Sequence, residues 1–78
     1  MNILITGATG FIGKNIVKSL INDGHFCRCL VRMTDNLDDI FLNESVELFL
    51  GDISRKETLS DICKDIDIVI NSAGILAK

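Results

Sequence analysis

The sequence predicts an α/β fold, a parallel β-sheet with helices on both faces. Short, mostly apolar runs recur at Ile3–Ile5, Phe26–Val31, Val46–Leu50 and Ile66–Ile70, and the stretches between them carry apolar residues at helical spacing. Gly24 and Gly51 punctuate the joins, and no proline interrupts any element. Strands that alternate with helices at this interval pair in parallel, each connection being a right-handed crossover.

The elements follow in order. Asn2 to Thr6 reads as a short buried strand, and Phe11 to Asp23 as a helix with Ile12, Ile16, Val17, Leu20 and Ile21 on its apolar side. Asn22-Asp23-Gly24 supplies the stop, with Gly24 free to take the left-handed conformation past the helix end. Phe26 to Val31 is the second strand, in which Cys27 and Cys29 point to one face and Arg28 is expected near an edge or end where its charge reaches water. His25, at the mouth of that strand, reads as a solvated turn residue without a catalytic neighbour. Met33 to Asn43 is polar with Leu37, Ile40 and Phe41 at helix-like spacing, predicting a short helix capped by Thr34 or Asp35. Val46 to Leu50 is the third strand, closed by Gly51-Asp52. Ser54 or Arg55 then opens a third helix with Leu59, Ile62 and Cys63 on one face, and Asp67 to Asn71 is the fourth strand.

The chemistry concentrates in Thr6 to Gly13, T-G-A-T-G-F-I-G, three glycines spaced three apart between a strand and a helix. A diphosphate needs backbone N–H groups at close range with a helix N-terminus behind them, and side chains in between would hold the anion off. Gly7 turns the chain out of the strand, Gly10 removes the Cβ that would meet the pyrophosphate, and Gly13 lets the helix pack closely on its strand. Strand before and helix after distinguish this loop from an ordinary glycine turn.

Composition sets the limits. Seventy-eight residues suit one small domain, and a chain of that size is only marginally stable alone; 47% hydrophobic residues and a mean hydropathy of +0.36 are rich for it, as for a piece of something larger. No apolar stretch reaches the roughly 18 residues a membrane span requires, and the start has no signal-peptide pattern, so a cytoplasmic protein without a membrane partner is expected. Three cysteines, Cys27, Cys29 and Cys63, form no C-x-x-C pair and read as buried thiols; with one histidine, no metal site is expected. A net charge of −3 without basic runs argues against nucleic acid as a partner.

The order T-G-A-T-G-F-I-G, L-V-R, G-D-I and N-S-A-G resembles the N-terminal half of the extended and atypical short-chain dehydrogenase/reductase families. The resemblance covers the whole chain. It implies a three-layer, Rossmann-type doubly wound sheet, present here in part as strands in the order 3-2-1-4, with residues 1–78 the N-terminal part of an NAD(P)-binding domain. It also implies a cofactor site: Gly7, Thr9, Gly10 and Gly13 in the phosphate loop, Phe11 and Ile12 at the start of its helix, Asp52 and Ile53 flanking adenine, and Ala73 and Gly74 as small residues beside the ribose and pyrophosphate. Asp52 would accept from the adenine amine while Ile53 offers an apolar wall. The plainer alternatives are Asp52 as a turn cap and Ala73-Gly74 as one more turn. Lys14 is read as a surface helix residue.

Cofactor type turns on the end of the second strand. An acidic residue there binds the ribose 2′-OH of NAD, and an arginine accommodates the 2′-phosphate of NADP. The position carries Arg32, which favours NADP through charge-assisted hydrogen bonds; Asp35, three residues on, keeps NAD open.

The family's Tyr-x-x-x-Lys pair has no counterpart, because the chain contains no tyrosine, and no catalytic residue is assigned. The chain is therefore expected to be a fragment that contributes the cofactor half of an oxidoreductase, epimerase or dehydratase working by hydride transfer. The alternative is a non-catalytic NAD(P)-sensing or scaffolding protein. A bare sheet face and an apolar fourth strand at the edge predict self-association there.

Overall fold

A computed structural model describes residues 1–32, 37–52 and 54–72. Four strands form one parallel sheet: β1 (Asn2–Thr6), β2 (Phe26–Val31), β3 (Val46–Leu50) and β4 (Ile68–Asn71), in the order β3-β2-β1-β4. The register sets Ile3 opposite Cys27 and Ile68, and Cys29 opposite Leu48. The expected order 3-2-1-4 is the observed one.

Period-two alternation divides the strand side chains between two cores. On one face Ile3, Ile5, Cys27, Cys29 and Val31 meet Val17 of helix α1 (Phe11–Asn22) and Phe41 of a 3-10 turn, Asp39–Leu42. On the other, Leu4 and Leu30 meet Ile62, with Phe49, Leu59 and Ile66 packed against them. α1 ends in paired hydrogen bonds, the His25 N–H donating to the Leu20 carbonyl and the Gly24 N–H to that of Ile21, with Gly24 at φ +86°. This is the glycine stop expected from Asn22-Asp23-Gly24.

Four expectations change. The helix predicted from Ser54 or Arg55 is only a 3-10 turn, Lys56–Leu59, followed by turns in which Asp61 and Asp65 have positive φ (67° and 64°). The cause lies in β2. Arg28 is not at an edge or end but in the middle of an inner strand, its side chain only 14% exposed; its Nε donates to Glu47 at 2.9 Å and its Nη1 to the carbonyls of Ile62 (2.6 Å) and Lys64 (2.9 Å). Carbonyls that a continuing helix would use internally are thus taken by a guanidinium of the sheet. Cys63 consequently lies exposed, against the expectation of a buried thiol, whereas Cys27 and Cys29 are buried. Between β2 and β3 the described residues hold the 3-10 turn Asp39–Leu42, with Asp38 as its N-cap and no side-chain cap bond, instead of a longer helix; Thr34 and Asp35 lie outside the described residues.

Among the described residues β4 pairs only with β1, and its Ile68 and Val69 are exposed. His25 is half-buried, with its Nδ1 at 3.3 Å from the amino group of Met1.

Candidate functional site

The carboxyl ends of all four strands lie along one rim of the sheet, where the glycine loop, Arg32 and Asp52 are found among the described residues. β1 runs into the glycine loop. Gly7 adopts φ +73°, a conformation that a Cβ penalises, and its carbonyl accepts the Gly10 N–H at 3.2 Å, closing a turn. Gly13 is buried, and a Cβ there would stand 2.1 Å from the Gly7 carbonyl oxygen and 2.7 Å from Ala8 Cα. Its glycine requirement is therefore internal, helix against loop, where helix against strand was expected.

Gly10 differs. Its φ is −75°, which any residue tolerates, and among the described residues a Cβ would find only the Gly7 oxygen at 3.5 Å, an ordinary contact. Nothing in the described structure requires glycine there, and the space beside it is open. Gly10 is also the N-cap of α1, with no side chain to accept from the first-turn N–H groups, and that turn holds no acidic residue. A twelve-residue helix thus presents backbone donors and the positive end of its dipole to the rim, with no side-chain cap from its own N-cap residue. Phe11 stands 76% exposed beside them, Thr9 and Ile12 are half-buried, and Ala8 is fully buried under the loop.

The loop is braced from β4, through contacts that sequence reasoning missed. Thr6 Oγ1 donates to Asn71 Oδ1 at 2.7 Å, and the Thr6 carbonyl accepts both the Ser72 hydroxyl (2.6 Å) and the Ser72 N–H (3.0 Å), the hydroxyl bond being buried. The last residue before Gly7 is thereby fixed from two sides.

On the other side of the loop, Arg32 directly follows β2 and Gly51-Asp52 follows β3. The Gly51 N–H donates to the Val31 carbonyl at 3.0 Å, so Arg32 and Asp52 emerge from neighbouring strand ends. Arg32 is exposed. Asp52 Oδ1 accepts from the Ser54 N–H (2.9 Å) and the Ser54 hydroxyl (2.7 Å), and the Asp52 carbonyl accepts the Arg55 N–H (2.9 Å). The Ser54 N–H, then its hydroxyl, hold the Asp52 carboxyl below the usual carboxylate range, assisted by the charges of Arg32 and Arg55. The turn-cap role expected as an alternative is thus present at Oδ1. The D-x-S spacing, a common side-chain turn, was the sequence signal for it.

Lys14 pairs with Asp38 at 2.7 Å, tying α1 to the segment after β2, in keeping with its reading as a surface residue. Ile53, Ala73 and Gly74 lie outside the described residues. Among the described residues no cluster of His, Cys, Asp and Glu fits a metal ion, and no helix is long and apolar enough to cross a membrane.

A glycine loop leading into a helix N-terminus at the carboxyl rim of a parallel sheet, beside the strand ends that carry Arg32 and Asp52, defines a nucleotide-binding α/β protein. Comparison with known proteins narrows the class: the chain belongs to the NAD dependent epimerase/dehydratase family, whose model matches residues 3–78. It is 38% identical over 79 residues to an isoflavone reductase homolog of Nicotiana tabacum, covering 92% of this chain and 26% of that protein. Among solved structures it is similar to leucoanthocyanidin reductase of Vitis vinifera in its binary complex with NADPH (TM-score 0.77, 29% identity, 95% of this chain and 27% of that one). It is also similar to dTDP-glucose 4,6-dehydratase of Bacillus anthracis in complex with NAD (TM-score 0.78, 28% identity, 94% and 26%). The chain thus spans about a quarter of the length of these relatives.

Proposed function

We propose that this chain is the dinucleotide-binding part of an NAD(P)-dependent oxidoreductase, epimerase or dehydratase, and that residues 1–78 form the N-terminal portion of its cofactor domain. The observation that carries the reading is Gly10. A glycine that neither its backbone conformation nor its packing among the described residues requires, set at the N-terminal end of α1, fits a position kept bare for a ligand's diphosphate. The family match and the NADPH and NAD complexes of similar proteins support the same ligand class.

In this reading the first-turn N–H groups of α1 bind the diphosphate and Gly7 and Gly13 hold the loop in shape. Thr9, Phe11 and Ile12 line its outer side, and Asp52 with Ile53 receives adenine. Ala73 and Gly74 give room beside the ribose. Arg32 faces the adenosine ribose and favours NADP by pairing with a 2′-phosphate, since a guanidinium offers planar paired donors to phosphate oxygens. The bound dinucleotide supplies the hydride donor or acceptor. This chain's residues bind and orient it; with no tyrosine present, none of them is assigned a phenol's proton transfer.

Titration with NADPH and NADH, on the chain and its Arg32→Ala variant, tests the assignment. Tighter binding of NADPH, reduced about tenfold or more in the variant while NADH binding is kept, is the expected result. A folded chain that binds neither would refute it. Two buried free thiols without a disulfide favour the cytoplasm, and the exposed β4 favours self-association, which sedimentation across a concentration series would detect.

A further inference from the structure

We propose that the outer edge of β3 is a self-association surface, pairing antiparallel with β3 of a second copy of this chain about a two-fold axis at Leu48. The contact is separate from the dinucleotide rim.

β3 is one end of the sheet, and among the described residues it pairs only with β2. In a doubly wound sheet of order 3-2-1-4-5-6 further strands join beyond β4, so β3 is the edge that stays open. The backbone fixes what that edge offers. The Ser45 carbonyl accepts the Cys27 N–H at 2.9 Å and the Gly51 N–H donates to the Val31 carbonyl at 3.0 Å, so the odd-numbered residues turn their backbone groups toward β2. Val46, Leu48 and Leu50 therefore turn theirs outward. The Asn43 carbonyl already accepts the Val46 N–H at 3.0 Å, which leaves the Val46 carbonyl and both groups of Leu48 and Leu50 along the edge. These fit a copy of themselves. With Leu48 facing the second copy's Leu48, all five residues of β3 overlap; each Leu48 N–H meets the other's carbonyl, and each Leu50 N–H meets the carbonyl of the Val46 opposite, four hydrogen bonds in all.

The side chains agree with this register. Val46, Leu48 and Leu50 are in register with Cys27, Cys29 and Val31 and so lie on the α1 face, where Leu50 is 60% exposed. Leu42, at the end of the 3-10 turn that packs on β3, is 80% exposed. An isologous pair with its axis normal to the sheet keeps this face on the same side in both copies, so Leu48 meets Leu48 and Val46 meets Leu50. Edges built to refuse a partner carry lysine or proline, and β3 has neither. Its one charge, Glu47, is on the other face, held by Arg28 at 2.9 Å, and stands opposite Phe49 of the second copy, so no two carboxylates are opposed.

The experiment uses the chain carrying Cys63→Ser, so that an introduced cysteine is the exposed thiol. In the proposed register the two Cα atoms of Leu48→Cys stand about 5.5 Å apart, within disulfide reach, and those of Leu50→Cys about 14 Å apart, beyond it. Mild oxidation is expected to give a covalent dimer about tenfold faster or more with Leu48→Cys than with Leu50→Cys. In sedimentation, Leu48→Lys, which opposes two ammonium groups, is expected to weaken association about tenfold or more. Leu48→Pro removes an outward N–H and leaves the ladder to β2 intact, so it should weaken association equally with an unchanged circular dichroism spectrum. Ile68→Lys, on the opposite edge strand, should leave the Leu48→Cys cross-link as it is. Four results would each overturn the proposal: equal cross-linking at the two positions, association undiminished in folded Leu48→Lys, association removed by Ile68→Lys alone, or a chain monomeric up to about 1 mM.

Discussion

Replacing Gly13 by alanine should destabilise the chain although alanine is the better helix former. The new Cβ would stand 2.1 Å from the Gly7 carbonyl oxygen, 1.3 Å inside the 3.4 Å where ordinary contact begins, with Ala8 Cα at 2.7 Å and the Gly7 carbonyl carbon at 2.9 Å. All three are backbone atoms. No side chain can swing aside, so α1 must retreat from the loop by about an ångström, loosening Ala8 and Val17, both fully buried. Overpacking of this kind costs about 3 kcal/mol, the upper end of its usual span, because the obstruction is rigid. Alanine's advantage in a helix returns about 1 kcal/mol. The net loss, about 2 kcal/mol, corresponds to a melting temperature lower by roughly 8–16 °C for a domain of this size. Thermal unfolding followed by far-ultraviolet circular dichroism measures it directly. An unchanged or raised melting temperature would refute the close approach of helix and loop.

Two further outcomes follow from the cores. Cys63 should react with a thiol reagent in the native protein while Cys27 and Cys29 react only on unfolding. Burial raises the Cys27 pKa, and it pushes Cys29, with a contribution from Cys27, up to about 12. Both folded values lie above the unfolded one, so the stability these thiols contribute is complete below about pH 8.5 and declines from there toward pH 12; an unfolding midpoint that does not fall across that window would contradict their burial. Arg28→Met should cost about 1–3 kcal/mol, read as a lower urea midpoint, since the Ile62 and Lys64 carbonyls lose their donor while the half-exposed Glu47 remains solvated. No change in midpoint would mean that the turn after Leu59 stands without the guanidinium.

Much of the sheet was legible in the sequence because its signals are local. Apolar runs gave β1, β2 and β3 their observed bounds, Gly24 marked the end of α1, and parallel pairing followed from the alternation of elements. The segments on either side of β3 were not legible in this way. Leu59, Ile62 and Cys63 have helical spacing, yet the path of residues 60–65 is decided by Arg28, more than thirty residues earlier, taking up their carbonyls. Ser72 and Asn71 escaped notice for a similar reason, since their hydrogen bonds to Thr6 span about 65 residues and no spacing pattern encodes them. In the site, the glycine positions and the separate duties of Gly10 and Gly13 were readable, but not the partner of Gly13, which packs against Gly7 and Ala8 of the loop where the strand was expected. Only the Cβ environment identifies that partner.

The separate duties of the two glycines give the most direct test of the central claim, that the rim was shaped for a dinucleotide's diphosphate. In Gly10→Ala the loss of a favourable N-cap residue and the reduced freedom of the unfolded chain are each worth about 0.5–1 kcal/mol and opposed in sign, so folding stability should stay within about 1 kcal/mol of the original. Affinity for NADPH and NADH, measured by calorimetric titration of the same folded variant, should fall tenfold or more as the new methyl holds the diphosphate away from the first-turn N–H groups of α1. Undiminished affinity in a stable Gly10→Ala chain would contradict the account.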